Sequence, residues 1–473
     1  MPGNALFGAL FGNPDVDQET GEAAWLQALL DVERALAAAQ ARAGLVPAPA
    51  AAAIGACCTA RRFDPVAIGE KALASGNPVA PLVRELRSLV PADAERYVHY
   101  GATSQDILDT AMMLVVRRAL APILADLRTA AARCAELAIE HAGTLMAGRT
   151  LLQQALPITF GLKCAGWLTA IDETASSLAT LRDSRLAVQL GGAAGTLASL
   201  GEAGITVFRL FAEELQLAEP VAPWHTDRTR VADIACALGR ASGAVAKIAL
   251  DVLLMAQTEV AEVREAGGGG RGGSSTLPHK QNPVGAVLVT ACAKRAPGLV
   301  ATALAAMAQE HERAAGAWHA EWGTLTELAR LTGGAAHHGA QMLAGLRVSG
   351  ERMRENLGVT GGLIMTENVT AQLAGALGKA EAADVVTRVS LDAAGRGDPL
   401  RDALLAEPAI AAHLSAAGLD AALDPGRYLG VARQFIDRAI ARHTAHAGGT
   451  GGSSPGPARA GGSGGSSPRA STA

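Results

Sequence analysis

A chain of 473 residues is long enough to bury a large core and to divide into two or three domains. Apolar residues make up 49% and charged residues 18%, and no apolar run long enough to span a bilayer lacks a charge, so a soluble globular protein without membrane contact is expected. The net charge of −4 comes from 41 basic and 45 acidic side chains scattered along the chain, which argues against a nucleic-acid surface and leaves small-molecule partners open.

The first basic residue is Arg34, so the start of the chain lacks the positive region of a signal peptide. From Trp25 to Arg42 the apolar positions Trp25, Leu29, Val32 and Leu36 step by three or four, and Gly44 follows as a stop. A second helical pattern runs from about Asp109 to His141, with a kink expected at Pro122 and a stop at Gly143. The proline-free stretch from Val231 to Glu265 predicts a rod on the order of 50 Å long. Rods of that length are buried only beside other rods, so a bundle of long helices is the expected architecture. Abundant alanine lets such helices approach closely. From Ala447 onward the Gly/Ser/Pro-rich tail has too little apolar surface to offset ordering entropy, and disorder is expected there.

The six cysteines (57, 58, 134, 164, 236, 292) show no CxxC pair; most sit in alanine-rich helical patterns and read as small buried side chains, reduced in a cytoplasmic protein. Cys57-Cys58, His337-His338 and the His/Glu set at 310–321 have no second pair at ligand spacing, and Glu259 and Glu262, read on the long helix, lack histidine partners. No metal site is expected.

The stretch "GRGGSSTLPHKQNPV", residues 270–284, carries chemistry. Asn282 before Pro283 reads as a helix cap with proline in the first turn, and "VGAVLVTACAKRA" continues the helix. The glycine-rich loop then feeds a helix N-terminus with unpaired N–H groups and about half a positive charge. Lys280 adds a full charge, so the loop is suited to an anion. The ending required of a nucleotide phosphate loop is absent.

"GGSSTLPHKQNP" resembles the signature loop of the fumarase/aspartase superfamily, which includes argininosuccinate and adenylosuccinate lyases. "HYGATSQD" at 99–106 and "GRTLLQQALP" at 148–157 resemble its other two active-site segments, in the right order. The resemblance extends from "ALFGALFGNPD" to "LDPGRYLG", and "LGGAAGTLASLG", "APWHTDR", "QEHERAAGAWHAEW" and "TGGLIMTENV" between them resemble its lactone-forming cycloisomerase branch. It implies an all-α protein of three helical domains, at 1–108, 109–350 with the central bundle of long helices, and 351–446, followed by the tail at 447–473. It also implies a cytoplasmic homotetramer whose active sites are shared between subunits, a small tricarboxylate as substrate, and no cofactor.

By the same resemblance Ser274 is the base, with Lys280 as its catalytic partner, and Ser275 and Asn282 contact substrate. Lys280 and Asn282 hold a substrate carboxylate as charge builds on it, worth about 3 to 4 kcal/mol for a well-aimed donor. Thr103 and Ser104 donate hydroxyls to a carboxylate, His99 heads the same segment, and Thr150 and Gln153 are the second segment's contacts. Arg313, in "EHER", reads either as a carboxylate partner or as half of an ordinary i,i+3 charge pair. Leu277 stands where methionine is usual, and Gln281 where a basic residue is common.

The departure at Leu152 is informative. The lyases carry a histidine there, implicated as the general acid, and leucine transfers no proton. An amine leaving group needs one. A carboxylate, with an unperturbed pKa of about 4, leaves or joins ionised. The missing histidine therefore favours a cycloisomerase over the C–N lyases, which stand as the alternative beside a non-catalytic structural relative.

Overall fold

The computed structural model describes residues 5–266, 272–273, 276–277 and 279–449. Its architecture is the expected all-α one. Five long helices form the centre: α1 (Ser104–Glu140), α2 (Phe160–Ser184), α3 (Thr229–Met255), α4 (Val284–Ala305) and α5 (Ala317–Ala344). α1 packs on α2 and α5, α4 lies between α3 and α5, and α3 also meets α2 and α5. Small residues set the spacing at two crossings. A Cβ added to Gly239 of α3 would come 2.6 Å from Val300 of α4, and one added to Gly339 of α5 would come 2.5 Å from Val245 of α3.

One core runs from Val16 through the bundle to Ile436. The helices between residues 366 and 422 close on a second core that includes Val369, Leu373, Val386, Leu404 and Leu419. The helix expected over Trp25–Arg42 spans Glu22–Arg42. α1 continues through Pro122. The tail is helical as far as Gly449, in the helix Ala432–Gly449, and its remainder, from Thr450, lies outside the described residues.

The third long helix is shorter than its sequence pattern. It ends at Met255, and the chain turns through 256–262 with Ala261 at φ 50°. The turn delivers Glu262, fully buried, to the Arg149 guanidinium, so Glu259 and Glu262 do not lie on the long helix as read.

Two small sheets interrupt the helices. β1 (Leu145–Thr150) and β2 (Gln153–Thr159) form an antiparallel hairpin with Thr150 opposite Gln153, and β3 (Val263–Glu265) pairs with β4 (Leu346–Val348). Among the described helices one, α4, is long and apolar enough to cross a membrane; Lys294 and Arg295 lie within its span.

Candidate active site

The three sequence segments fall at two ends of the bundle. Thr103 is the N-cap of α1 and Ser104 its first residue, whereas the hairpin of Thr150 and Gln153 follows the other end of that helix. A helix of 37 residues is a rod of about 55 Å, so the first and second segments of one chain do not meet. The third segment lies with the second. Glu262 receives both terminal nitrogens of Arg149 from the hairpin at 2.9 and 2.7 Å, and Glu265, three residues on, reaches the start of α4.

Around the first segment the polar side chains are tightly organised. Asp106, fully buried, accepts four hydrogen bonds: from the backbone N–H of Thr103 (3.0 Å), Gly191 (2.9 Å) and Gly192 (2.9 Å), and from His225 Nε2 (2.7 Å). Gly191 admits no side chain, because a Cβ there would stand 2.7 Å from the His225 ring. Arg228, also fully buried, forks between Asp109 of α1 (2.8 and 3.1 Å) and Glu321 of α5 (2.6 and 3.0 Å). Buried charges in paired, hydrogen-bonded groups of this kind fix element against element. Burial pushes the Glu321 carboxyl above its usual range despite the guanidinium beside it.

Arg313 joins this end. Its guanidinium donates to Thr103 Oγ1 at 2.8 Å and to the carbonyls of Ala193 (2.8 Å) and Gly192 (3.3 Å). It makes neither side of the i,i+3 charge pair considered from sequence. Since Thr103 Oγ1 accepts from Arg313, its own hydrogen is left to donate elsewhere. His99, at φ 60°, places Nδ1 2.6 Å from Glu33 Oε1. Burial alone would lower the pKa of that imidazole; the charge and hydrogen bond of Glu33 more than offset it, and it stands raised.

At the opposite end, Thr150 and Gln153 flank a two-residue turn made by Leu151 and Leu152, with φ of 50° and 65°. Two positive φ values in succession define the I′ hairpin turn, which ordinarily takes Asn-Gly or similar. Both leucines project: Leu151 is 97% exposed and Leu152 75%. Lys280 is exposed and Asn282 half-buried, and the Asn282 N–H donates to Gly272 O at 2.8 Å. Ser274 and Ser275 lie outside the described residues.

One expectation is overturned here. Asn282 does not cap α4 through its side chain; Pro283 precedes the helix, and the Glu265 carboxylate accepts from Gly285 N (2.9 Å) and Ala286 N (2.8 Å). Val284 N donates to Asn282 O and Val287 N to Pro283 O. The first four N–H groups of α4 are thus all taken within the chain, and the helix start offers none of them to a bound anion. Among the described residues of the loop, Lys280 supplies a positive charge.

Residues 16–298 match the family model described as lyase, and 362–439 match that of the adenylosuccinate lyase C-terminus. A 3-carboxy-cis,cis-muconate cycloisomerase of Pseudomonas aeruginosa is 47% identical over 94% of this chain and 98% of its own length. The chain belongs to the fumarase/aspartase superfamily of lyases. A nitrosuccinate lyase of Streptomyces davaonensis is 47% identical over 91% of this chain and 92% of its own. The crystal structure of the 3-carboxy-cis,cis-muconate lactonizing enzyme from Pseudomonas putida superposes with a TM-score of 0.88, at 43% identity, covering 94% of this chain and all of that one.

The three active-site segments do not contain Glu33, His225, Arg228 or Glu265, although His225 and Arg228 lie in the resembling stretch "APWHTDR". A signal for Glu33 is nevertheless present. It occupies the stripe 26, 29, 30, 33, 36, 37, 40 of its helix, where its neighbours are Leu and Ala, and a carboxylate on a core stripe calls for a partner. Glu265 carries no such signal, because the cap it forms depends on where β3 ends.

Proposed function

We propose that this protein is a cycloisomerase acting on 3-carboxy-cis,cis-muconate and forming a carboxymuconolactone, a step in the breakdown of aromatic acids through protocatechuate. The observation that carries this reading is near full-length likeness to enzymes of that name, in sequence and in fold. The apolar hairpin tip supports it. A substrate carboxylate enters the new C–O bond as an anion and needs no acid on its oxygen, and none is provided at Leu151 or Leu152.

In this mechanism the incoming carboxylate oxygen bonds to one alkene carbon. The π electrons move to the neighbouring carbon and into its carboxylate as an enediolate. The Lys280 ammonium and the Asn282 side chain hold that developing charge. The Ser274 hydroxyl delivers its proton to the carbon, and the alkoxide left behind is reprotonated from solvent. Thr103 and Ser104 donate to a second carboxylate, with His99 and Arg313 supplying positive charge at that end. Ser275, Thr150 and Gln153 complete the substrate's surroundings.

The reaction needs segments from both ends of the bundle, so we assign a homotetramer with sites shared between copies. The division 1–108, 109–350 and 351–446 stands as part of this reading; its last part agrees with the separate core of the helices over 366–422. All six cysteines are free thiols, five of them buried, which suits a cytoplasmic location.

A second reading is favoured by the equal identity to the nitrosuccinate lyase. Expulsion of nitrite, a weakly basic anion, also needs no acid, so Leu152 does not separate the two. Proton balance does. Closing the lactone turns a carboxylate into an ester and places a hydrogen on carbon, so each turnover takes up a proton; elimination of nitrite strips a hydrogen from carbon, so each turnover releases one. Purified protein mixed with carboxymuconate in weak buffer with an indicator dye is expected to turn alkaline as the diene absorbance falls. Colorimetric nitrite from nitrosuccinate, with no change in the diene, would assign the second reading instead.

A further inference from the structure

Glu33 is the least explained charge in the molecule. It is 1% exposed, in the middle of the helix Glu22–Arg42, and among the described residues its one ionic partner is His99. Oε1 meets His99 Nδ1 at 2.6 Å, and Oε2 is buried with no hydrogen-bond partner. A carboxylate left half-satisfied in a core costs stability, and a neutral side chain would pack there at lower cost. Its position next to a segment that binds substrate in the proposed function suggests what offsets that cost.

Three charged groups act on the His99 ring. Arg87, from the helix Val79–Leu89, donates to Val98 O at 3.2 Å and disfavours a second positive charge. Asp106, from α1, favours it, but both its oxygens are committed to the four donors described above. Glu33 has no other ionic partner among the described residues. Because Nδ1 faces Glu33, the ring is held by one edge, and Nε2 makes no hydrogen bond to the described chain. His99 and Thr103 lie four residues apart in one loop, so the Nε2 edge and the Thr103 hydroxyl are both left to donate beyond the chain.

We propose that Glu33 is a positioning residue: it turns the His99 ring and keeps it an imidazolium, so that Nε2–H is a charged donor for one carboxylate of a polycarboxylate substrate. The proposal rests on the reading of this end as a substrate site. It explains why a chain would keep a buried carboxylate with one bare oxygen. It also adds a full positive charge to a segment whose other donors, Thr103 and Ser104, are neutral. A trianionic substrate needs that charge more than a neutral imidazole could supply.

The test uses Glu33→Gln, which keeps the shape and an acceptor for Nδ1–H but removes the charge. Without it, burial and the Arg87 charge outweigh Asp106, and the ring loses its proton at lower pH. The alkaline limb of kcat/KM for carboxymuconate is expected to move down by about one pH unit, about tenfold in rate above the limb, with the loss mainly in KM. Glu33→Asp should restore the limb, and Glu33→Gln added to His99→Gln should cost nothing further. An independent arm follows carbethoxylation of His99 against pH by peptide mass spectrometry, since only the neutral ring reacts. Near pH 7 the Glu33→Gln protein should react several-fold faster. If carboxymuconate is not turned over at all, the functional reading fails and the carbethoxylation profile still decides the pair. Identical profiles in the two proteins would overturn it.

Discussion

Leu152 and Glu33 show what a single residue reveals and what it hides. Leu152 is legible from sequence because it breaks a motif at a position where the chemistry of the lyases requires a proton. Its consequence is testable. A histidine placed there by Leu152→His gives the site an acid for a group of unperturbed pKa about 4 that needs none at neutral pH. Lactone formation, measured as kcat/KM by diene absorbance, should not rise above the native value, and a tenfold gain would remove the argument from the leaving group. Glu33, Asp106 and Arg228 are harder to see. Each is a buried charge, and its meaning depends on partners 66, 119 and 93 residues away, as in Glu33–His99, Asp106–His225 and Arg228–Glu321. Such pairings follow from the packing of helices and not from the local pattern that periodicity reads. Ser274, on which the proposed chemistry turns, lies outside the described residues, so its part in the reading rests on the motif.

At the scale of elements, helices with clear apolar stripes are legible to within a few residues, because periodicity and glycine stops act locally. Errors lie where a distant side chain decides the boundary. α3 stops ten residues early so that Glu262 can reach Arg149, and α4 takes its cap from Glu265 instead of Asn282. The hairpin is invisible for another reason: its turn lacks the Asn-Gly signal and uses two leucines in the left-handed region. That conformation costs roughly 1–2 kcal/mol per non-glycine residue, and here the side chains gain nothing from their own chain. In the proposed assembly, a contact between the tip and another copy would offset that cost. Replacing it by Leu151→Asn with Leu152→Gly should leave helical circular dichroism intact and the melting temperature no lower, while kcat/KM falls at least about tenfold through lost packing of some 2 kcal/mol. Unchanged activity would mean that the tip serves no site.

For the whole molecule, composition and long rods suffice to infer an all-α bundle, but not where its uncovered faces go. The proposed boundary at 108/109 falls inside α1, and the core of the first hundred residues is continuous with that of the bundle. α4 is apolar along most of its length, yet the described part of its own chain covers only one side. Val287 (50% exposed), Ala291, Gly298, Ala301 and Ala305 lie on or beside the open stripe, with Lys294 among them, and the small residues let a second helix approach closely. A neighbouring copy packed antiparallel along this stripe would set its first-segment end beside the hairpin and Lys280 end of the other, which spans the roughly 55 Å that one chain cannot. Gly298→Glu isolates this contact. An added Cβ at Gly298 meets nothing within 4 Å, and glutamate is a better helix former than glycine by up to about 1 kcal/mol, so the single chain should fold at least as well. A glutamate side chain there fills the space that the small residues leave for a second helix, and its carboxylate must be desolvated to enter the seam, with Lys294, one turn back on the same face, as its nearest cation. Sedimentation should then show the assembly reduced to smaller species with full helical signal, and turnover of carboxymuconate should disappear with it. A variant that stays assembled would place the seam on another face, and one that is dissociated yet fully active would mean that a single chain holds a complete site.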